Sequence, residues 1–253
     1  MRSRLLALTL VAACTGPLDD ADVDTGDGKE DRGGTAAFVE VDATHSSAAF
    51  RRYVRDAVSY LEAHPAEIAR LTARSIREGR VQIDEIVDLT CWDFSRLLDD
   101  LGGIDLQPSD WNQLRDGGEV AGVVSAEIDG FMWSNRIYVA RGLSKKRLAA
   151  TLVHEVNHVI NRSEVGYWDD LPTSAFLEEY RAFYAESLVD PEEYEGVDIA
   201  DYVIENYDLD RAKLPAEVLA EPVTPRLLPD DDAWRERNLA GDVPDVDADC
   251  PGR

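Results

Sequence analysis

Apolar residues recur with a helical period over the first well-patterned stretch of the chain. Phe50, Tyr53, Val54, Ala57, Val58 and Leu61 fall three and four residues apart, which predicts an amphipathic helix. His64-Pro65 ends it, because the residue before a proline disfavours the helical region. Pro65 suits the first turn of a second helix carrying Ile68, Leu71 and Ile76. Val81 to Leu89 alternates weakly, as a strand does, and Trp92 to Leu101 reads as a helix stopped by Gly102-Gly103. Between 119 and 140 the pattern turns to strand formers: Val120, Val123, Val124, Ile128, Phe131, Trp133, Ile137, Tyr138 and Val139. Asp129-Gly130 is a type I′ hairpin signal and Ser134-Asn135 a second turn, so a small antiparallel meander is expected, ending in Arg136–Ala140.

A helix capped by Ser144 and running to about Ile160 follows, with apolar residues on nearly every face. Such a helix is a buried one, and its polar exceptions need a reason. They are His154-Glu155-Val156-Asn157-His158. Two histidines four residues apart project from one helix face and can share a metal ion. Glu155, one position on from the first, lies beside that ion, where it can take a proton from water. A further apolar-rich helix after Pro172-Thr173-Ser174 carries Glu178, Glu179 and Glu186. Glu179, 21 residues beyond His158, is the favoured third ligand; Glu178 and Glu186 are the alternatives. Ala182, one turn after Glu179, would let the two helices approach closely. Ile199, Tyr202 and Val203 mark one more short amphipathic helix.

Composition narrows the class. The 253 residues hold 51 acids against 26 bases, a net charge of −25, which disfavours nucleic acid and anionic lipid as partners. No apolar stretch is long enough to span a bilayer. Residues 1–13 read as an export signal, with Arg2 and Arg4 before an apolar run. Val11-Ala12-Ala13-Cys14 resembles a bacterial lipobox, which implies lipidation of Cys14 and anchoring in the envelope, with Thr15 pointing to the outer membrane. That leaves Cys91 and Cys250 as candidates for one disulfide. The organisation expected is a signal over 1–13, an acidic tether over 14–45, a folded domain over 46–227 and an acidic tail over 228–253. His45 and His64 look incidental, and Asp245, Asp247 and Asp249 lack the glycine and distal Glu of a calcium loop.

Between 119 and 190 the chain resembles the zincin metallopeptidases, and within them the gluzincins. The resemblance rests on His154-Glu155-x-x-His158, on Glu179-x-x-Ala182 and on a preceding sheet with an edge strand. It implies an α+β fold in which a small antiparallel sheet packs on the active-site helix. It further implies zinc held by His154, His158 and Glu179, and peptide-bond hydrolysis with Glu155 as general base. A peptide or protein substrate would add as a strand along Ile137–Ala140. Tyr167, Tyr184 and Arg181 are candidates for a second oxyanion donor. One departure stands out: Phe183 occupies the position, four after Glu179, where many gluzincins carry an acid that orients a histidine ligand. The competing class is a surface lipoprotein that uses such a scaffold to bind a partner without turnover.

Overall fold

The computed structural model describes residues 47–89, 130–133, 135–165 and 172–230, with isolated positions between 91 and 113. The expected signal, Cys14 as the expected lipidation site, the expected tether, Cys250 and Tyr167 lie outside these residues. So do Asp129, the strand formers Val120 to Ile128 and the tail beyond 230.

Helix α1 (Ala48–Ala63) buries Phe50, Val54, Ala57, Val58 and Leu61, the stripe its period sets. Ser47 caps it by accepting from the Phe50 N–H at 3.1 Å. It stops at His64, whose extended backbone precedes Pro65. Helix α2 (Glu67–Arg77) follows, with Ala66 as its cap. Pro65 thus stands before the cap and not within the first turn, as expected above. Its buried face is built from Ile68, Ala69, Thr72, Ala73 and Ser75.

The expected strand over 81–89 is only β1 (Gln82–Glu85), followed by a tight 3-10 turn, Ile86–Asp88. Strands β2 (Gly130–Trp133) and β3 (Arg136–Val139) pair antiparallel, with Trp133 opposite Arg136. Three expectations change here. Gly130 opens a strand instead of making a turn. The sheet is mixed, since β1 runs parallel to β3 with Ile83 opposite Ile137. The order β1-β3-β2 makes β3 the central strand, so Ile137–Val139 offers no free edge. A parallel partner arrives through a long crossover, and local alternation carries no trace of it.

Helix α3 (Lys145–Val165) starts from Ser144, whose hydroxyl accepts from the Arg147 N–H at 3.1 Å, and extends past the expected end at 160. Helix α4 (Pro172–Ser187) packs against it, beginning at Pro172 itself, where a residue without an N–H leaves no donor orphaned. Then come α5 (Ile199–Asn206), capped by Asp198, and α6 (Ala216–Leu219). The chain is α+β, with α1, α2, the sheet and α3 enclosing the main apolar core. A second cluster joins Phe176 of α4 to Val203 of α5 and Leu214. Leu228 is buried in the main core, and its N–H donates to Ser75 Oγ at 3.2 Å, so the folded body runs past 227. Cys91 is buried and disulfide-bonded; its expected partner, Cys250, is outside the described residues.

Candidate metal centre between helices α3 and α4

The site forms where α3 and α4 pack side by side. Ala182 and Ala185 are fully buried at this contact and let the backbones come close enough for short carboxylates to reach across. One turn of α3 separates His154 from His158, and their Nε2 atoms lie 3.0 Å apart. Glu179 Oε2, from α4, stands 3.7 Å from the Nε2 of His158 and 4.0 Å from that of His154. Among the described residues these three form a group whose donor atoms all lie within 4.8 Å of one another. Ligand atoms bound tetrahedrally at zinc distances stand about 3.4 Å apart, and the three spacings bracket that value. A divalent cation fits this donor set with small side-chain adjustments.

The far side of each imidazole is also held. His154 Nδ1 lies 2.9 Å from Glu186 Oε2, and His158 Nδ1 lies 3.3 Å from Glu178 Oε1. A carboxylate at Nδ1 favours the proton there and turns the Nε2 lone pair inward, toward the shared point. Glu178 and Glu186, weighed above as alternative metal ligands, therefore back the two histidines, while Glu179 faces the Nε2 atoms. Phe183 stands four residues after Glu179, and the acid that backs His154 is Glu186, seven after and two turns along the same face. Phe183 packs edge-on against the His154 ring, with centroids 4.6 Å apart. Glu186 is itself anchored: Arg147 Nη1 donates to it at 2.5 Å, and Tyr194 hydrogen-bonds it as well. Although burial pushes its carboxyl up, the His154, Arg147 and Tyr194 contacts win and hold it below the usual range.

Four carboxylates thus surround two imidazoles, a surplus of negative charge that attracts a cation. Burial alone would lower the His158 imidazolium, but Glu179, the hydrogen bond from Glu178 and Glu155 outweigh it and push its pKa up to about 9. Glu155 is different in kind. It is only 7% exposed, and it carries no hydrogen bond or ion pair among the described residues. Burial pushes its carboxyl up, against the pull of His154 and His158. An unpartnered buried carboxylate is expensive, and such a group marks a place built for something else to bind.

Comparison with protein-family models, with curated proteins and with solved structures returns no match. The site therefore has to be read from its own atoms. Arg181, a candidate oxyanion donor, is committed elsewhere: it donates to Asn161 Oδ1 at 3.2 Å and pairs with Glu221. Tyr184 stacks obliquely near Tyr180, outside the donor group. The hydroxyl that does reach the site belongs to Tyr207, just past the end of α5, and donates to Glu179 Oε2 at 2.8 Å. The residue as a whole is 36% exposed, while its hydroxyl reaches the buried Glu179. Burial first, then the charge of Glu179, pushes that phenol well above its ordinary range, so it stays a donor. Nothing in the sequence around Glu205-Asn206-Tyr207 distinguishes this tyrosine from the eight others. Gly130, at the start of β2, was likewise misread as a turn and lies against Glu155.

Proposed function

We propose that the chain is a zinc-dependent peptidase of zincin type, exported and tethered to the bacterial envelope by lipid on Cys14. The observation that carries the reading is Glu155: a nine-tenths-buried carboxylate with no side-chain hydrogen bond among the described residues, close enough to His154, His158 and Glu179 to interact with their charges. A structural metal site closes its coordination with protein side chains and has no use for such a base. His154, His158 and Glu179 hold the metal, with Glu186 and Glu178 fixing the imidazoles. When bound, zinc lowers the pKa of water and polarises a carbonyl.

The protein's own residues do the rest. Glu155, whose carboxyl burial pushes up, accepts the proton of the attacking water as the C–O bond forms. It then delivers that proton to the leaving amine as the C–N bond breaks. Tyr207 releases Glu179 and donates its hydroxyl proton in a hydrogen bond to the developing oxyanion, in the role first considered for Tyr167, Tyr184 and Arg181. An extended peptide adds along β2, whose outer edge has no partner among the described residues and whose first residue touches Glu155. No described helix is long and apolar enough to cross a membrane, and the membrane contact proposed is the lipid alone.

The test is Glu155→Gln. This variant should keep one zinc per chain and lose peptide hydrolysis by about a thousandfold or more, since a general base is worth up to about 10⁴. Undiminished cleavage of casein by Glu155→Gln would assign the base wrongly. Zinc uptake with no turnover in the wild type would leave the non-catalytic scaffold.

A further inference from the structure

Among the described residues no side-chain hydrogen bond orients Glu155, and the contacts that confine its carboxylate are contacts of shape. The wall is strand β2. A Cβ placed on Gly130 would lie 3.1 Å from Glu155 Oε1 and 3.3 Å from Glu155 Cγ. It would also lie 2.7 Å from Thr151 Cγ2, one helical turn before Glu155 on the same face of α3. Thr151 cannot yield by rotation at no cost, because its hydroxyl donates to the Arg147 carbonyl at 3.0 Å and holds the methyl in place. The 2.7 Å contact has to be relieved by Thr151 or by the strand, whereas the two Glu155 contacts are relieved by the free end of its longer chain, the carboxylate.

We infer that Gly130 is a positioning residue: its bare Cα, held in β2 opposite Val139, confines the Glu155 carboxylate to the direction from which it serves the reaction. The inference rests on the hydrolytic reading for its consequence, but its geometric content is independent of it. Any side chain at 130 displaces the base without touching His154, His158 or Glu179. The strand could tolerate alanine by propensity, so the requirement for glycine here is one of space and not of backbone conformation.

The experiment is Gly130→Ala in the full chain, alone, with Thr151→Ser, and in the Glu155→Gln background. Serine at 151 keeps the hydroxyl and removes the methyl that gives the 2.7 Å contact. Gly130→Ala should retain one zinc per chain and an unchanged KM. Its kcat should fall by up to about a hundredfold, the cost of misplacing a reacting group by about 1 Å. Thr151→Ser should recover thermal stability but not kcat. In the Glu155→Gln background, Gly130→Ala should cost nothing more. The crystal structure of the metal-free Gly130→Ala/Thr151→Ser protein should show the carboxylate displaced and the imidazoles in place, whether or not the wild type proves to be a hydrolase. The inference is overturned if Thr151→Ser restores kcat, if the Gly130 and Glu155 effects multiply, or if Glu155 has not moved. A double variant that still does not fold also overturns it, since Gly130 would then be a packing residue only.

Discussion

Helix α3 presents two faces to two different neighbours. Toward α1, α2 and the sheet it offers Leu148, Leu152, Val156 and Val159, all buried among other apolar side chains. Toward α4 it offers His154, His158 and Asn161, met by Glu178, Glu179, Glu186 and Arg181. The two interfaces are similarly dry but satisfy different demands. The apolar one needs only matched volume, and many side-chain sets would serve. The polar one is stable only if each buried donor and acceptor finds a partner. Glu155 stands apart from both, set against Gly130 of β2 and with no side-chain hydrogen bond among the described residues. The lesson is that burial marks both the core and the site, and that an unmet hydrogen-bonding capacity separates them.

The largest effect that would sharpen this contrast comes from truncating one residue on each face. His158→Ala should abolish zinc binding and hydrolysis while leaving a folded chain, read from metal content after dialysis and from circular dichroism. Leu152→Ala, fully buried on the opposite face, should cost about 2–5 kcal/mol of stability in a urea titration and leave zinc stoichiometry at one. A reversal of that pattern would break the division of labour. Next in size, Tyr207→Phe should lower kcat by about a hundredfold, in the range expected for one oxyanion donor, with zinc retained. A rise in KM with kcat intact would make it a substrate-binding residue instead.

Smaller still, Glu186→Gln should weaken zinc affinity by about 10- to 100-fold in a chelator competition, as loss of a carboxylate behind a histidine ligand does. Glu178→Gln should do less, because its contact to His158 is 3.3 Å against 2.9 Å for Glu186 and His154. The smallest effect concerns a buried acid away from the site. Burial pushes the Glu85 carboxyl up, with Arg141, 2.7 Å away, pulling it back. Its folded pKa lies above its unfolded one, so the native state holds the proton more tightly in that window. This residue's contribution to stability should therefore fall as pH rises from about 4.5 through the raised value. Glu85→Gln should flatten that slope in melting curves between pH 4 and 7, without touching zinc content.

Much of the helical framework was legible in the pattern of residues. The periods of α1, α3 and α5 and the cap at Ser144 depend on neighbours within a turn or two, which is the range over which a sequence speaks for itself. The sheet was read less well. The partner of β3 across β1 comes from more than fifty residues upstream, so parallel pairing and the central place of β3 left no local mark. Gly130 followed the same rule: Asp-Gly reads as a turn, and only the nearness of Thr151 and Glu155 reveals why glycine stands there. The expected lipid anchor and the Cys250 half of the disulfide belong to segments outside the described residues.

The sequence by itself determined which side chains could share a point on α3, because helical geometry places His154 and His158 on one face whatever surrounds them. It also narrowed the third position to acids on one later helix. Only the packing of α4 against α3 decided that Glu179 turns to the Nε2 atoms while Glu178 and Glu186 turn to the Nδ1 atoms. The packing of α5 on α4 brought in Tyr207. Those choices are set by the distance and rotation between two helices. Such quantities arise from every buried contact at once and are encoded in no short stretch of chain.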